Sequence, residues 1–323
     1  MSSTSSRTVL VALVANVGVA IAKVTAAVLT ASTAMTAEAA HACADVGNQV
    51  LLVVAQRRSV RPADTRHPFG YGREAYFWAL LASVVVFVAG AVFSFREGIA
   101  ELMHPVPLDS FTVVYVVLGV SVVLDTTSLI QSVLQLRREA LVQSRDFLDQ
   151  LMLPSDPTVR AVFAEDAAAI AGDLVAFVGI ALHHTTGSSS PEGWAATIIG
   201  VILVGVGLQL ARRNRDFLLG EQAPPAAKAR IRATIAGFAG IAAVEELLVT
   251  FIGPRQVWVL CRVDIDDTLR GDQVESLVRE LDRSLRAQSA YVHRVDIVPA
   301  GQTLSASGPA SRSDGMPPGD DGA

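Results

Sequence analysis

His41 and Asp45 stand four apart inside an apolar stretch. A helix puts such a pair one turn apart on one face. An imidazole and a carboxylate so placed can both ligate one borderline divalent cation. The same spacing also suits a packing histidine hydrogen-bonded to an aspartate. A second apolar stretch holds Glu165, Asp166 and Asp173. Asp166 and Asp173 share a helix face but lie about 10.5 Å apart along the axis, too far to touch one ion, while Glu165 points about 100° away from Asp166. Asp125 sits alone among Val, Leu and Thr in a third stretch, and Lys23 lies inside the first. Lys23 either pairs with one of these acids, snorkels to the membrane surface, or stays neutral. Ionisable groups at mid-bilayer cost about 2.5–3.5 kcal/mol each on insertion scales, which makes every one a functional candidate. One histidine with several acids suggests a cation path, and the imidazole favours Zn2+ over Ca2+ or Mg2+, which prefer oxygen. Carriers of organic cations use aromatic walls, and aromatics are only 6% of this chain.

The elements that must position these groups are membrane helices. The 323 residues are 51% hydrophobic and 18% charged, below the roughly 25% charge of a soluble domain. Residues 76–95 and 194–211 carry no charge, and each run is long enough to cross a hydrocarbon core of about 30 Å. Six apolar segments are expected, at Thr8–Ala31, Ala34–Gln56, Tyr76–Gly98, Phe111–Leu136, Arg160–His183 and Trp194–Ala211. The first is too long for a signal peptide and shows no clear cleavage site. Arginines cluster after the second, fourth and sixth segments, and the other connections have no Lys or Arg. The positive-inside rule then places both termini in the cytoplasm. From Glu221 the pattern changes. A helix at Ala226–Gly237, strands at Glu245–Ile252 and Gln256–Ile265, a helix at Arg270–Gln288 and a strand at Tyr291–Val298 predict a small two-layer α+β domain. The Gly-, Ser- and Pro-rich residues 301–323 predict a disordered tail. The expected divisions are a transport domain over 1–221, a cytoplasmic α+β domain over 222–300, and the tail.

The stretch AEAAHACADVGNQVLLVVAQRRSVRPADTRHPFGYGREAYFWAL, residues 37–80, resembles the cation diffusion facilitators. That resemblance extends over about residues 8–300 and implies a six-helix carrier in the cell membrane that exchanges a divalent metal for protons. It implies a C-terminal domain with a ferredoxin or metallochaperone-like fold that pairs two subunits. The family's transport site takes two residues four apart on helix two and two on helix five. Here these fall on His41 and Asp45, and on Asp166 with Val162. Valine cannot ligate, so Glu165, Asp125 or water is expected to supply the missing group. Asp64 and His67 match a second, interfacial metal site, whose later histidine corresponds to Tyr71; this site is expected to be weak or absent. The same Gly/Pro turn also suits a loop whose arginines meet lipid headgroups.

The metal is then a substrate, and no cofactor is expected. A regulatory or scaffolding membrane subunit with a degenerate, non-conducting site is the alternative that Val162 and Tyr71 favour. An enzyme is not expected: the chain has no phosphate-binding Gly loop, no G-x-S-x-G elbow and no H-E-x-x-H. A net charge of −5 gives no basic field for nucleic acid. Dimer contacts are expected without a metal cluster in the C-terminal domain, where His293 and a buried Cys261 are the only soft ligands.

Overall fold

The computed structural model describes residues 3–105, 110–142, 157–289 and 291–300. The predicted tail lies outside the described residues. Six long helices come first: α1 (Ser3–Thr30), α2 (Thr33–Ser59), α3 (Glu74–Met103), α4 (Phe111–Val142), α5 (Pro157–Thr186) and α6 (Ser190–Leu219). Then follow α7 (Pro225–Ala236), β1 (Ile241–Gly253), β2 (Gln256–Ile265), α8 (Gly271–Gln288) and β3 (Val292–Pro299). Two compact units form, Met1–Pro224 with Val249–Trp258, and Pro225–Leu248 with Val259–Ala323.

Local chemistry sets the helix ends. Ala31 takes a left-handed conformation (φ 55°), which stops α1, and Ser32 accepts a hydrogen bond from the backbone N–H of Met35 to cap α2. Arg57 and Arg58 close the last turn of α2, where a cation complements the helix dipole. Gly220 (φ 94°) ends α6 as a left-handed cap.

Among the described residues, four helices are long and apolar enough to cross a membrane: α3, α5 and α6 over much of their length, and α4 over Phe111–Gln131. This differs from the six crossings predicted. The described apolar part of α1, Asn16–Thr30, is shorter. Helix α2 is diluted by Glu38, His41, Asp45 and Asn48, the groups that would make it useful. The protein is a multi-pass membrane protein in which valines such as Val85, Val88, Val116 and Val123 face outward, as lipid contact requires.

Inside the bundle, Met35, Phe87, Leu118, Ile180, Ile199 and Leu203 form part of a continuous buried core. Helix α3 lies along α6 at close range. A Cβ on Gly98 would stand 2.7 Å from the carbonyl of Gly193, so only glycine allows this approach.

The C-terminal elements differ modestly from expectation. Strand β1 starts four residues earlier than the sequence indicated, at Ile241. It joins β2 through the two residues Pro254 and Arg255, a connection short enough to require antiparallel pairing. The sheet order is β1-β2-β3. Val257, Val259, Cys261 and Val263 alternate inward along β2, and Leu277, Leu281 and Leu285 form the buried stripe of α8.

Candidate metal centre

Helix α2 carries Glu38, His41, Asp45 and Asn48 at steps of three, four and three, which keeps all four on one strip of its surface. Glu38, His41 and Asn48 are buried and Asp45 nearly so. Helix α5 presents buried Glu165, Asp166 and Asp173; α4 contributes Asp125 and Ser128; α1 contributes the buried Lys23.

Two kinds of contact organise these groups. Lys23 Nζ donates to Glu38 Oε2 (2.8 Å) and to Asp173 Oδ1 (2.6 Å). Asn48 donates to Glu165 Oε1, and Ser128 Oγ donates to Asp166 Oδ2 (2.8 Å). His41 Nε2 lies 3.5 Å from Asp45 Oδ2, and its Nδ1 lies 3.9 Å from Glu38 Oε1. Glycine at 172 makes room for this, since a Cβ there would collide with Glu38 Oε1.

A cavity of about 20 Å³ opens between these helices, walled by Asp45, Asp125, Glu165 and Asp166 with Lys23, Asn16, Val19, Ala42 and Ala169. It is large enough for one water or one small ion. Around it the hydrogen-bonding is incomplete. Glu38 Oε1, both ring nitrogens of His41, Asp45 Oδ1, Asp125 Oδ2, Glu165 Oε2 and Asp173 Oδ2 are buried without a hydrogen-bond partner. Each such atom costs about 1–3 kcal/mol or more if it stays unsatisfied. A concentration of them, all of metal-ligating type, is unlike an ordinary protein interior.

The structure therefore brings Asp45, Asp125, Glu165 and Asp166 to one cavity and sets His41 against Asp45. Glu165 and Asp166 reach it although they leave α5 in different directions, because Glu165 faces α2 and Asp166 faces α4. The side chain of Val162 lies outside the described side chains. Lys23 pairs with Asp173, one of the acids the sequence offered it, and with Glu38. Among the described residues, no three His, Cys, Asp or Glu side chains stand as a ready metal-binding group. An ion would have to draw them inward by rotamer changes.

Sequence reasoning passed over Glu38, Asn48 and Ser128. The signal for Glu38 was present, an acid three residues before His41 in an apolar segment. Asn48 and Ser128 carry no charge, so nothing distinguished them from ordinary polar residues in helices.

The interfacial loop shows different chemistry. Asp64 Oδ2 accepts from the Tyr71 hydroxyl (2.6 Å), and Oδ1 accepts from the backbone N–H of His67 (2.7 Å) and Arg66 (2.9 Å). These donors, led by the Tyr71 hydroxyl, hold the exposed Asp64 carboxyl below the usual carboxylate range. His67 Nδ1 is 3.3 Å from Asp64 Oδ1. In the C-terminal unit, burial pushes the Cys261 thiol up to about 11, which disfavours the thiolate that binds metal.

Comparison with known proteins adds to this geometry. Residues 9–219 match the profile of the cation efflux transmembrane domain. Over 239 residues the chain is 29% identical to the human proton-coupled zinc antiporter SLC30A9, mitochondrial; this is 74% of the chain and 42% of that protein. It is 30% identical to metal tolerance protein C4 of Arabidopsis thaliana over 57% of the chain and 40% of the relative. To the cation-efflux pump FieF of an Escherichia coli strain it is 22% identical, over 79% of each. The chain spans less than half the length of the SLC30A9 relatives it matches.

Proposed function

The chain belongs to the cation diffusion facilitator family, and from that premise we propose that it carries a divalent transition metal, Zn2+ foremost, out of the cytoplasm in exchange for protons. The observation that carries this reading is the set of buried, unpartnered imidazole and carboxylate atoms around the cavity between α2, α4 and α5. His41, Asp45 and Asp166 are its primary ligands, with Glu165 or Asp125 completing the set. The names of the zinc antiporter and cation-efflux relatives support the cargo class.

The mechanism follows from ligand chemistry. Metal binds the deprotonated carboxylates and the neutral imidazole, so metal and protons compete for the same atoms. Alternating exposure of the cavity to the two sides converts that competition into exchange. Asp45 is the most exposed of the α2 ligands and is the first to meet an incoming ion. The protein acts as a transporter and not an enzyme. The arginine asymmetry supports six crossings of the cell membrane with both termini cytoplasmic. The C-terminal α+β region, 222–300, then acts as the cytoplasmic dimerisation domain of a homodimer.

The test is transport in proteoliposomes, with a panel of divalent metals outside and a pH dye inside. Zn2+ uptake with opposite proton movement is expected for the wild type. Asp45→Ala and Asp166→Ala should abolish both while the protein remains monodisperse in detergent. Wild-type flux in Asp45→Ala sinks the ligand assignment. Metal binding without any flux favours a non-conducting scaffold.

A further inference from the structure

Lys23 is a full positive charge at 2% exposure in the helix bundle, and the exchange cycle above gives it no task. Its ammonium spends hydrogen bonds on one oxygen of Glu38 and one of Asp173. The second oxygens, Glu38 Oε1 and Asp173 Oδ2, are buried and have no partner. Asp125 lines the same cavity as Lys23, and its Oδ2 is likewise buried without a hydrogen-bond partner. Two carboxylates, from α2 and α5, thus hold one ammonium from α1, and a third from α4 lines the cavity beside it. An all-oxygen set of this kind is what a hard divalent cation selects.

We propose that Lys23 is a tethered cation occupying a second ion site, formed by Glu38 and Asp173 with Asp125 on its border with the Zn2+ centre, and that it thereby closes this oxygen-only site to mobile hard cations. The proposal rests on the cation-transport reading for its biological meaning, though the site itself can be measured separately. The chemistry divides the buried cluster in two. At one end His41 and Asp45 offer a nitrogen and oxygens, a set that suits Zn2+. At the other end the ligands are oxygens alone, and they would take Mn2+, Mg2+ or Ca2+. A covalently held ammonium cannot be exchanged or transported. It offsets one carboxylate charge permanently, fills the space an ion would take, and leaves the histidine end as the place for cargo. Lys23 is in this sense a specificity-determining residue that touches no cargo.

The experiment measures Mn2+ binding to the full chain in detergent, by equilibrium dialysis with paramagnetic resonance detection of the free ion. Lys23→Met should gain about one Mn2+ per chain over wild type, as an oxygen cage would. Lys23→Met combined with Asp173→Asn should lose that gain. The gain should persist in Lys23→Met combined with Asp45→Ala. Persistence there separates the cage from the Zn2+ centre, whose own failure would be read from Zn2+ flux in Asp45→Ala alone. A Lys23→Met protein that binds no more Mn2+ than wild type overturns the proposal, and so does a gain that vanishes with Asp45. If Lys23→Met aggregates, it is purified again with Mn2+ present throughout. Recovery of a monodisperse protein only with Mn2+ supports the proposal, because the ion then stands in for the ammonium. Failure to recover it under both conditions overturns it.

Discussion

Two clusters of buried polar side chains lie within the helix bundle, and they are built on opposite terms. One involves the turn between α1 and α2, the end of α3, and the connection from α5 to α6. There Ser32 Oγ donates to Glu192 Oε2, His183 Nδ1 pairs with Glu192 Oε1, and Thr33 Oγ1 donates to Glu101 Oε2 (2.6 Å). Apart from the hydroxyl of neighbouring Ser189, the buried side-chain atoms of this region have partners. The other cluster is the candidate metal centre, where the histidine and five acids keep atoms without partners. Both hold a histidine beside a carboxylate, and both are largely buried. The difference is saturation. A satisfied buried network fixes helices against one another, whereas an unsatisfied one is costly until something arrives to complete it. Residue type alone would assign the His183–Glu192 pair to metal as readily as His41–Asp45.

The strongest way to break this comparison is to change the metal cluster's one nitrogen ligand. His41→Asp keeps a ligand but replaces imidazole by oxygen. Zn2+ transport should fall by more than the about 10–100-fold that loss of an outer partner costs at a metal site, while Mn2+ transport rises relative to it. An unchanged ratio of Zn2+ to Mn2+ flux would remove His41 from the ligand set. A smaller effect is expected from the saturated cluster. Glu192→Gln leaves either His183 or Ser32 poorly matched, at a cost of about 1–3 kcal/mol. The thermal midpoint in detergent should drop, and Zn2+ flux per folded molecule should stay the same. Lost flux with an unchanged midpoint would show that the saturated cluster also handles ions and would dissolve the distinction.

The sequence carried much of this architecture and part of the site. Charge-free runs and arginine placement located the helices, because the bilayer imposes length and the arginines impose sidedness. His41 and Asp45 were legible as a pair since their spacing is local to one helix. The convergence of Asp45, Asp125, Glu165 and Asp166 on one cavity was not, because it depends on how α2, α4 and α5 rotate against one another. Lys23 shows the limit clearly. Its place in an apolar segment was readable, but the sequence left open several acids or the membrane surface for it, and the structure gives it two partners, one of them the overlooked Glu38. Helix α2 shows the reverse. The same polar groups that made it interesting in the sequence keep it from counting as an apolar span.

The interfacial loop offers the smallest effect and a sharper form of the comparison, since its His67 and Asp64 are exposed and Asp64 is fully engaged. The Tyr71 hydroxyl is the leading cause of the lowered Asp64 titration. A carboxyl lowered on folding stabilises the loop above the ordinary aspartate range, and that contribution fades as pH falls through the folded value. Tyr71→Phe removes this donor. The Asp64 carboxyl resonance should then titrate at higher pH, nearer an ordinary aspartate, and Zn2+ flux should not change. Tyr71→His goes further, because it exchanges a hydrogen-bond donor that occupies Asp64 for an imidazole beside Asp64 and His67. Two imidazoles and a carboxylate form a plausible zinc set, so about one additional Zn2+ per chain should bind, and this binding should survive Asp45→Ala. If Tyr71→His binds no additional Zn2+, releasing the carboxylate is not sufficient, and the loop's backbone holds Asp64 and His67 in a geometry that cannot ligate. If Tyr71→Phe alone reduces flux, the loop belongs to the transport path, and saturation of its side chains is a poor guide to function.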